Sequence, residues 1–268
     1  MDHAQSYLQQ SIIPNDIPFL AVPTTAGTGS EATRYAVIYY NGEKQSICDD
    51  SCIPTAVLME SSLLKTLPEY QRKSTMLDAL CHAIESYWSV NSTAESKKYS
   101  KEAIQLILTY MKAYLDNTEI GNKQMMIAAN LAGKAINITQ TTAGHAMCYK
   151  LTSLYGIAHG YAAALCIEKL WDYMINHIEK CRDFRGKEYL QATFLELAYI
   201  MNCSTPQESV EFFKQLLKEL NLEVPTVKKH SDYEILSTSV NITRLNNNPV
   251  ALDSEIIKQL YEQILERK

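Results

Sequence analysis

Glycine is scarce in this 268-residue chain: there are nine, and no two are adjacent. A phosphate cradle built on consecutive glycines is therefore excluded, and Gly27 and Gly29 are the closest pair that remains. Basic charge is also short, with 25 Lys and Arg against 30 Asp and Glu and a net charge of −5. That balance leaves no electrostatic footprint for nucleic acid. No signal peptide and no apolar run of 18 residues occurs, which speaks against insertion in a membrane. The seven cysteines are odd in number and form no CxxC, so a disulfide framework is not indicated and a reduced, cytoplasmic protein is. Repeats and low-complexity segments are absent, and there are only six histidines.

Four residues stand out against that background. Asp78 and His82 lie four apart in TMLDALCHAIESYW, whose apolar spacing is helical, so both side chains leave one face a single turn apart. His145 and His159 lie in TTAGHAMCYKLTSLYGIAHGYAAAL, where Gly156 separates two helical runs and lets the second fold back on the first. A carboxylate and three neutral imidazoles suit a divalent ion such as Fe²⁺ or Zn²⁺. Taken singly, each histidine reads as a hydrogen-bonded core residue; taken together, the two clusters favour a metal. His3, His177 and His230 sit in polar surroundings and read as surface.

A second motif, PFLAVPTTAGTGSEAT, runs from a short apolar strand at Phe19–Val22 into a loop crowded with the hydroxyls of Thr24, Thr25, Thr28 and Ser30. Small residues there let backbone N–H groups approach a phosphate; the plainer reading is a turn with Ser30 capping a helix.

Strand texture extends from Pro18 to about Thr66, with YAVIYY and KQSIC joined by an Asn41-Gly42 turn and followed by TAVLME. Residues 1–16 are polar, frayed or partly helical. After Leu67-Pro68 the pattern is helical almost throughout, near 69–90, 94–115, 121–139, 141–154, 159–178, 187–201, 207–220, 231–239 and 252–267. The expected fold class is an α/β fragment plus an all-α part: a small α/β portion over 1–67 and a large helical one over 68–268, with the ligand cleft between them.

These motifs resemble the iron-containing, or group III, alcohol dehydrogenases. PTTAGTGSE at 23–31 is similar to a loop that lies against the nicotinamide cofactor in that family, DALCHAIESYW to its helix with two metal ligands, and GHAM and AHG to the third and fourth. The resemblance extends to NNNP at 246–249. It implies a dehydroquinate synthase-like architecture, with 1–67 an incomplete dinucleotide-binding α/β domain and 68–268 a helical metal-binding domain, Fe²⁺ or Zn²⁺ held by Asp78, His82, His145 and His159, and NAD(P)H against Thr24, Thr25, Gly27, Thr28 and Ser30, with Lys44 approaching the cofactor. It further implies a homodimer and a small aldehyde or alcohol substrate, whose oxygen the metal would polarise during hydride transfer. HAIESYWSVNSTAES, LAGKAINITQTTAGHAM and YKLTSLYGIAHG look like the branch that reduces phosphonoacetaldehyde to 2-hydroxyethylphosphonate, for which Lys150 and Arg244 are the candidate phosphonate-binding cations.

The chain departs from the family pattern as well. The family's GGGS-type pyrophosphate loop and the βαβ units before Pro18 are missing, which suggests a truncated product or a separate partner chain. Tyr149 stands where many members have a proton-relaying His, and a phenol would serve there only with a lowered pKa. Thr75-Met76-Leu77, Ala163 and Ile167-Glu168 replace other usual residues. A non-catalytic remnant that keeps the metal, and a glycerol dehydrogenase-like or dehydroquinate synthase-like enzyme, are the competing expectations.

Overall fold

The computed structural model describes residues 17–40, 43–240 and 242–266, and only the backbone of 38–40, 43–45 and 242–243. Residues 1–16 with His3, and the Asn41-Gly42 turn, lie outside the described residues.

Two small sheets form the first part. Strands β1 (Leu20–Ala21) and β4 (Ala56–Val57) pair in parallel, with Leu20 opposite Ala56. Strands β2 (Tyr35–Tyr40) and β3 (Glu43–Cys48) form the expected antiparallel ribbon, with Tyr35 opposite Cys48. The sequence predicts longer strands around β1 and β4; a pair with no third strand beside it among the described residues sustains only two residues of register. Single 3₁₀ turns at Ser30–Ala32 and Asp50–Cys52 and a longer one at Ser61–Thr66 join these strands to the helices.

Helices α1 (Glu69–Trp88), α2 (Ala94–Leu115), α3 (Glu119–Thr139), α4 (Ala143–Tyr155) and α5 (His159–Asn176) build the centre. Around them lie α6 (Lys187–Ile200), α7 (Pro206–Leu220), α8 (Asp232–Thr238), the single turn α9 (Ile242–Leu245) and α10 (Ser254–Leu265). Their starts follow capping chemistry. Thr93 and Ser96 form a reciprocal capping box, and Thr118, Thr205 and Asp253 each accept a backbone N–H of the first turn.

From Met76 to Trp88 every residue of helix α1 is buried, polar ones included, as expected of a central helix. Trp88 at its end meets Trp171 of α5 and Phe194 of α6 edge-on, at 5.4 and 6.2 Å between ring centres. One buried cation secures its start: Arg72, 2% exposed, donates to the carbonyls of Leu64 and Tyr114 and to the side chains of Asn117 and Asn122, and lies over the Tyr114 ring. That fan of acceptors ties the 61–66 turn to α1, α2 and α3. The NNNP segment works similarly. Asn247 donates to Gln140 Oε1 and the Thr141 carbonyl and accepts from Asn91, which fixes the entry to α4. Among the described residues no helix is long and apolar enough to cross a membrane.

Candidate metal centre

Three helices deliver the candidate ligands. Asp78 and His82 stand one turn apart on α1, His145 is in the first turn of α4, and His159 opens α5. Gly156 closes α4 in the left-handed region (φ 72°) and donates to the Thr152 carbonyl, which frees the chain to turn back. Helix α5 has no side-chain cap of its own. Its start is held by α1, where Ser74 Oγ accepts from Tyr161 N at 3.1 Å and Tyr70 OH from Ala158 N at 2.9 Å. Gly160 permits that approach: a Cβ there would run into the Ser74 carbonyl and lie 2.6 Å from Asp78 Cβ.

The result is a convergent group. Asp78 Oδ1 lies 3.3 Å from His145 Nε2 and 3.8 Å from His159 Nε2, and one donor atom from each of the three residues falls within 4.8 Å of the others. His82 stands beside this group rather than within it. Its ring stacks on His145 at 4.2 Å and 11°, and its buried Nδ1 has no hydrogen-bond partner among the described residues. His230 is exposed and His177 stacks on Tyr173, both away from the centre.

Charge in this pocket is unbalanced. Burial alone would raise both carboxyls, but the imidazoles facing them outweigh it and hold Asp78 and Glu85 below the usual carboxylate range. Burial alone would lower His145; the Glu85 and Asp78 carboxylates on either side of it instead hold it up at about 9. Burial dominates for His82, helped by its imidazole neighbours, and keeps that ring neutral with a pKa of about 3. Two buried carboxylates thus face one imidazolium beside a neutral imidazole whose Nδ1 has no hydrogen-bond partner among the described residues. That donor set fits a divalent cation, which would neutralise the excess charge and give His82 Nδ1 or its neighbours a partner.

The other sequence-derived candidates separate into those near this centre and those away from it. Tyr149 stacks on His159 at 5.3 Å, and the Arg244 guanidinium lies 5.1 Å from the Tyr149 ring while donating to Thr141 Oγ1. Burial raises the Tyr149 phenol despite the nearby Arg244, the opposite direction from the lowered value that a proton relay there would need. Lys150 is half-buried on α4, and the described contacts do not join it to the imidazoles. In the Thr/Ser loop, Thr24, Thr28 and Ser30 are exposed and Thr25 half-buried, whereas Ala26, Gly27 and Gly29 are buried. Both glycines have a packing reason as well, since a Cβ on Gly27 would meet Thr75 Cβ at 2.7 Å and one on Gly29 would meet Gly133 Cα at the same distance. Thr28 Oγ1 bonds Ser30 Oγ at 3.0 Å, and the N-cap of the short 3₁₀ turn is Gly29 rather than Ser30. Lys44 pairs through its backbone with Tyr39 in the β2–β3 ribbon; its side chain lies outside the described residues.

Residues 73–265 match the model of the Fe-containing alcohol dehydrogenase family's C-terminal domain, and residues 2–61 match iron-containing alcohol dehydrogenase. A phosphonoacetaldehyde reductase of Streptomyces viridochromogenes is 29% identical over 254 residues, 92% of this chain and 64% of that protein. An NADPH-dependent butanol dehydrogenase of Clostridium saccharobutylicum is 27% identical over 92% of this chain and 65% of its own length. The chain therefore spans less than two thirds of the length of these two relatives. Among solved structures, an iron-containing alcohol dehydrogenase of Thermotoga maritima superposes with a TM-score of 0.81 at 26% identity, covering 98% of this chain and 68% of that one. A sulfoacetaldehyde reductase of Bifidobacterium kashiwanohense in complex with NAD⁺ gives 0.87 at 23% identity, covering 99% and 69%, a likeness of fold. With most of its length matching the family's own model, the chain belongs to the iron-containing alcohol dehydrogenase family.

Proposed function

We propose that this chain performs metal-dependent, NAD(P)-linked reduction of a small aldehyde, and that the aldehyde carries an anionic phosphonate. The observation that carries this reading is the convergence of Asp78, His145 and His159 around a pocket with surplus buried negative charge. Those three residues, with His82 beside them, hold Fe²⁺ or Zn²⁺. When bound, such an ion supplies Lewis acidity toward a carbonyl oxygen. His159 stands at the solvent side of the group, with about a third of its side chain exposed, so a substrate approaches there, while His82 and His145 stay buried. Tyr149 covers His159 and offers a phenolic proton for hydrogen bonding. The exposed hydroxyls of the 24–30 loop suit the nicotinamide cofactor.

The anionic preference rests on Arg244, whose guanidinium flanks Tyr149, with Lys150 as a second cation on the same helix as Tyr149. One relative supports it by name, a phosphonoacetaldehyde reductase, named for a two-carbon aldehyde bearing an oxyanion. A charge-assisted contact contributes roughly 1.5–3 kcal/mol, which sets the expected preference for phosphonoacetaldehyde over propionaldehyde at about tenfold or more in kcat/KM. Elemental analysis of wild type and His145→Ala should differ by about one metal equivalent. Equal metal contents would remove the site. Equal efficiency on the two aldehydes, or an Arg244→Ala variant with undiminished preference, would leave an alcohol dehydrogenase without the phosphonate specificity.

A further inference from the structure

Glu85 carries no role in the ligand set, yet it is fully buried and sits on the same face of α1 as Asp78 and His82. It accepts three hydrogen bonds: from Thr142 Oγ1 at 2.7 Å, from the His145 backbone N–H at 3.2 Å, and in close contact with His145 Nδ1. Space for the carboxylate is kept by Gly144, because a Cβ there would stand 2.8 Å from Glu85 Oε1. One more link completes the set: Trp88 Nε1 donates to Thr142 Oγ1 at 3.1 Å.

Each group in this line has its role fixed by the one before it. An indole nitrogen only donates, so Thr142 Oγ1 accepts from it and its own proton is left to go to Glu85. An ionised carboxylate only accepts, so the nitrogen of His145 that faces it must bear a proton. Nε2 faces Asp78, a member of the ligand set, so it is the nitrogen whose proton a bound metal would displace. We propose that Trp88, Thr142 and Glu85 form a positioning relay that fixes the proton of His145 on Nδ1 and presents Nε2 to the metal. The inference rests on the metal reading above. Outer partners of this kind orient a ligating imidazole and increase its basicity, and their loss weakens metal binding by 10–100-fold.

The test is zinc affinity by competition with a chromophoric chelator, measured on wild type, Glu85→Gln, Thr142→Val and Thr142→Ser, with helix content by circular dichroism as the folding check. Zinc affinity should fall at least tenfold in Glu85→Gln and by a smaller factor in Thr142→Val, and should be restored in Thr142→Ser, which keeps the hydroxyl. In the zinc-loaded wild type, nitrogen-15 spectra should show His145 Nδ1 protonated, with that proton lost or shifted in Glu85→Gln. A role in packing alone would lower the melting temperature of both Thr142 variants without separating them in zinc affinity. If wild type takes up zinc, and folded Glu85→Gln and Thr142→Val bind it as tightly, the relay is wrong and the metal site stands. Zinc-loaded wild type with Nδ1 unprotonated also overturns the relay. If wild type takes up no zinc, the metal reading fails and the relay with it.

Discussion

The residues before Pro68 and the helices after it solve the burial problem with unequal success. In the first part, apolar side chains are common but remain in contact with solvent: Phe19, Leu20 and Leu58 are all more than half exposed, and Ala26, Ile47 and Leu64 are the buried apolar residues among those described. Parallel strands ordinarily need cover on both faces, and a pair with two residues of register has neither the width nor the length to provide it. Among the helices the opposite holds. A single contiguous core surrounds α1, and even the polar residues Asp78, Glu85 and His145 are buried and partnered. The contrast shows that rigidity is concentrated where the candidate metal centre lies, while the cofactor-type loop at 24–30 is held mainly through its glycine contacts with α1 and α3.

The sharpest way to break this contrast is at Gly160. Gly160→Val should force α5 off α1 and carry His159 from Asp78, and the protein should lose close to its whole metal equivalent, as elemental analysis would show. Next in size is the buried cation joining the two regions. Arg72→Met removes the guanidinium shared by the Asn117 and Asn122 side chains and by the Leu64 and Tyr114 carbonyls, which keep their backbone donors Leu67 and Asn117, and should cost about 3 kcal/mol in urea unfolding, with residues 61–66 becoming accessible to protease. A smaller effect is expected at the α2–α6 contact, where Lys97 pairs with Glu196 at 3.0 Å and Tyr87 donates to the same carboxylate. Burial raises the Glu196 carboxyl, but those two partners outweigh it and hold it below its usual 4.5. Its contribution is therefore present above pH 4.5 and is lost as pH falls through the depressed value. Because the pair is half exposed, Glu196→Gln should cost only about 0.5 kcal/mol at pH 7, and the gap to wild type should close in acid. Smallest of all should be Leu20→Ala in β1, under about 0.5 kcal/mol, whereas the same truncation of buried Leu80 should cost about 3 kcal/mol. A large loss at Leu20 would mean that the first part is packed more firmly than its exposure indicates.

The long helices are legible from apolar periodicity, with ends within two or three residues of those observed, because their spacing repeats over three or more turns; α2, α3, α7 and α10 also open on side-chain caps visible in the sequence. The 3₁₀ segment at 61–66 and the single turn α9 are not legible. Both are too short to carry a period, and distant partners fix their surroundings: Arg72 at the Leu64 carbonyl and Thr141 at Arg244. Asp78, His145 and His159 can be brought together from sequence because histidine is rare and each sits in an apolar helix. Glu85 cannot, since a Glu seven residues along a helix reads as a solvated charge until Gly144, Thr142 and Trp88 are seen around it. Tyr149 illustrates the reverse case: its position is legible, but the direction of its pKa depends on burial that the neighbouring letters do not reveal.

His82, His145, His159, Tyr149 and Arg244 succeed one another at 4 to 6 Å in a single file of planar groups, buried at the first two and half-buried at the last three. Burial thus grows along the file from the Arg244 end to the His82 end. Under the proposed function, an anionic solute would meet the guanidinium before it reached His159. A product that kept the charge of its precursor would then be held by the same group that admitted it, and turnover would be set partly by how loosely Arg244 holds an anion.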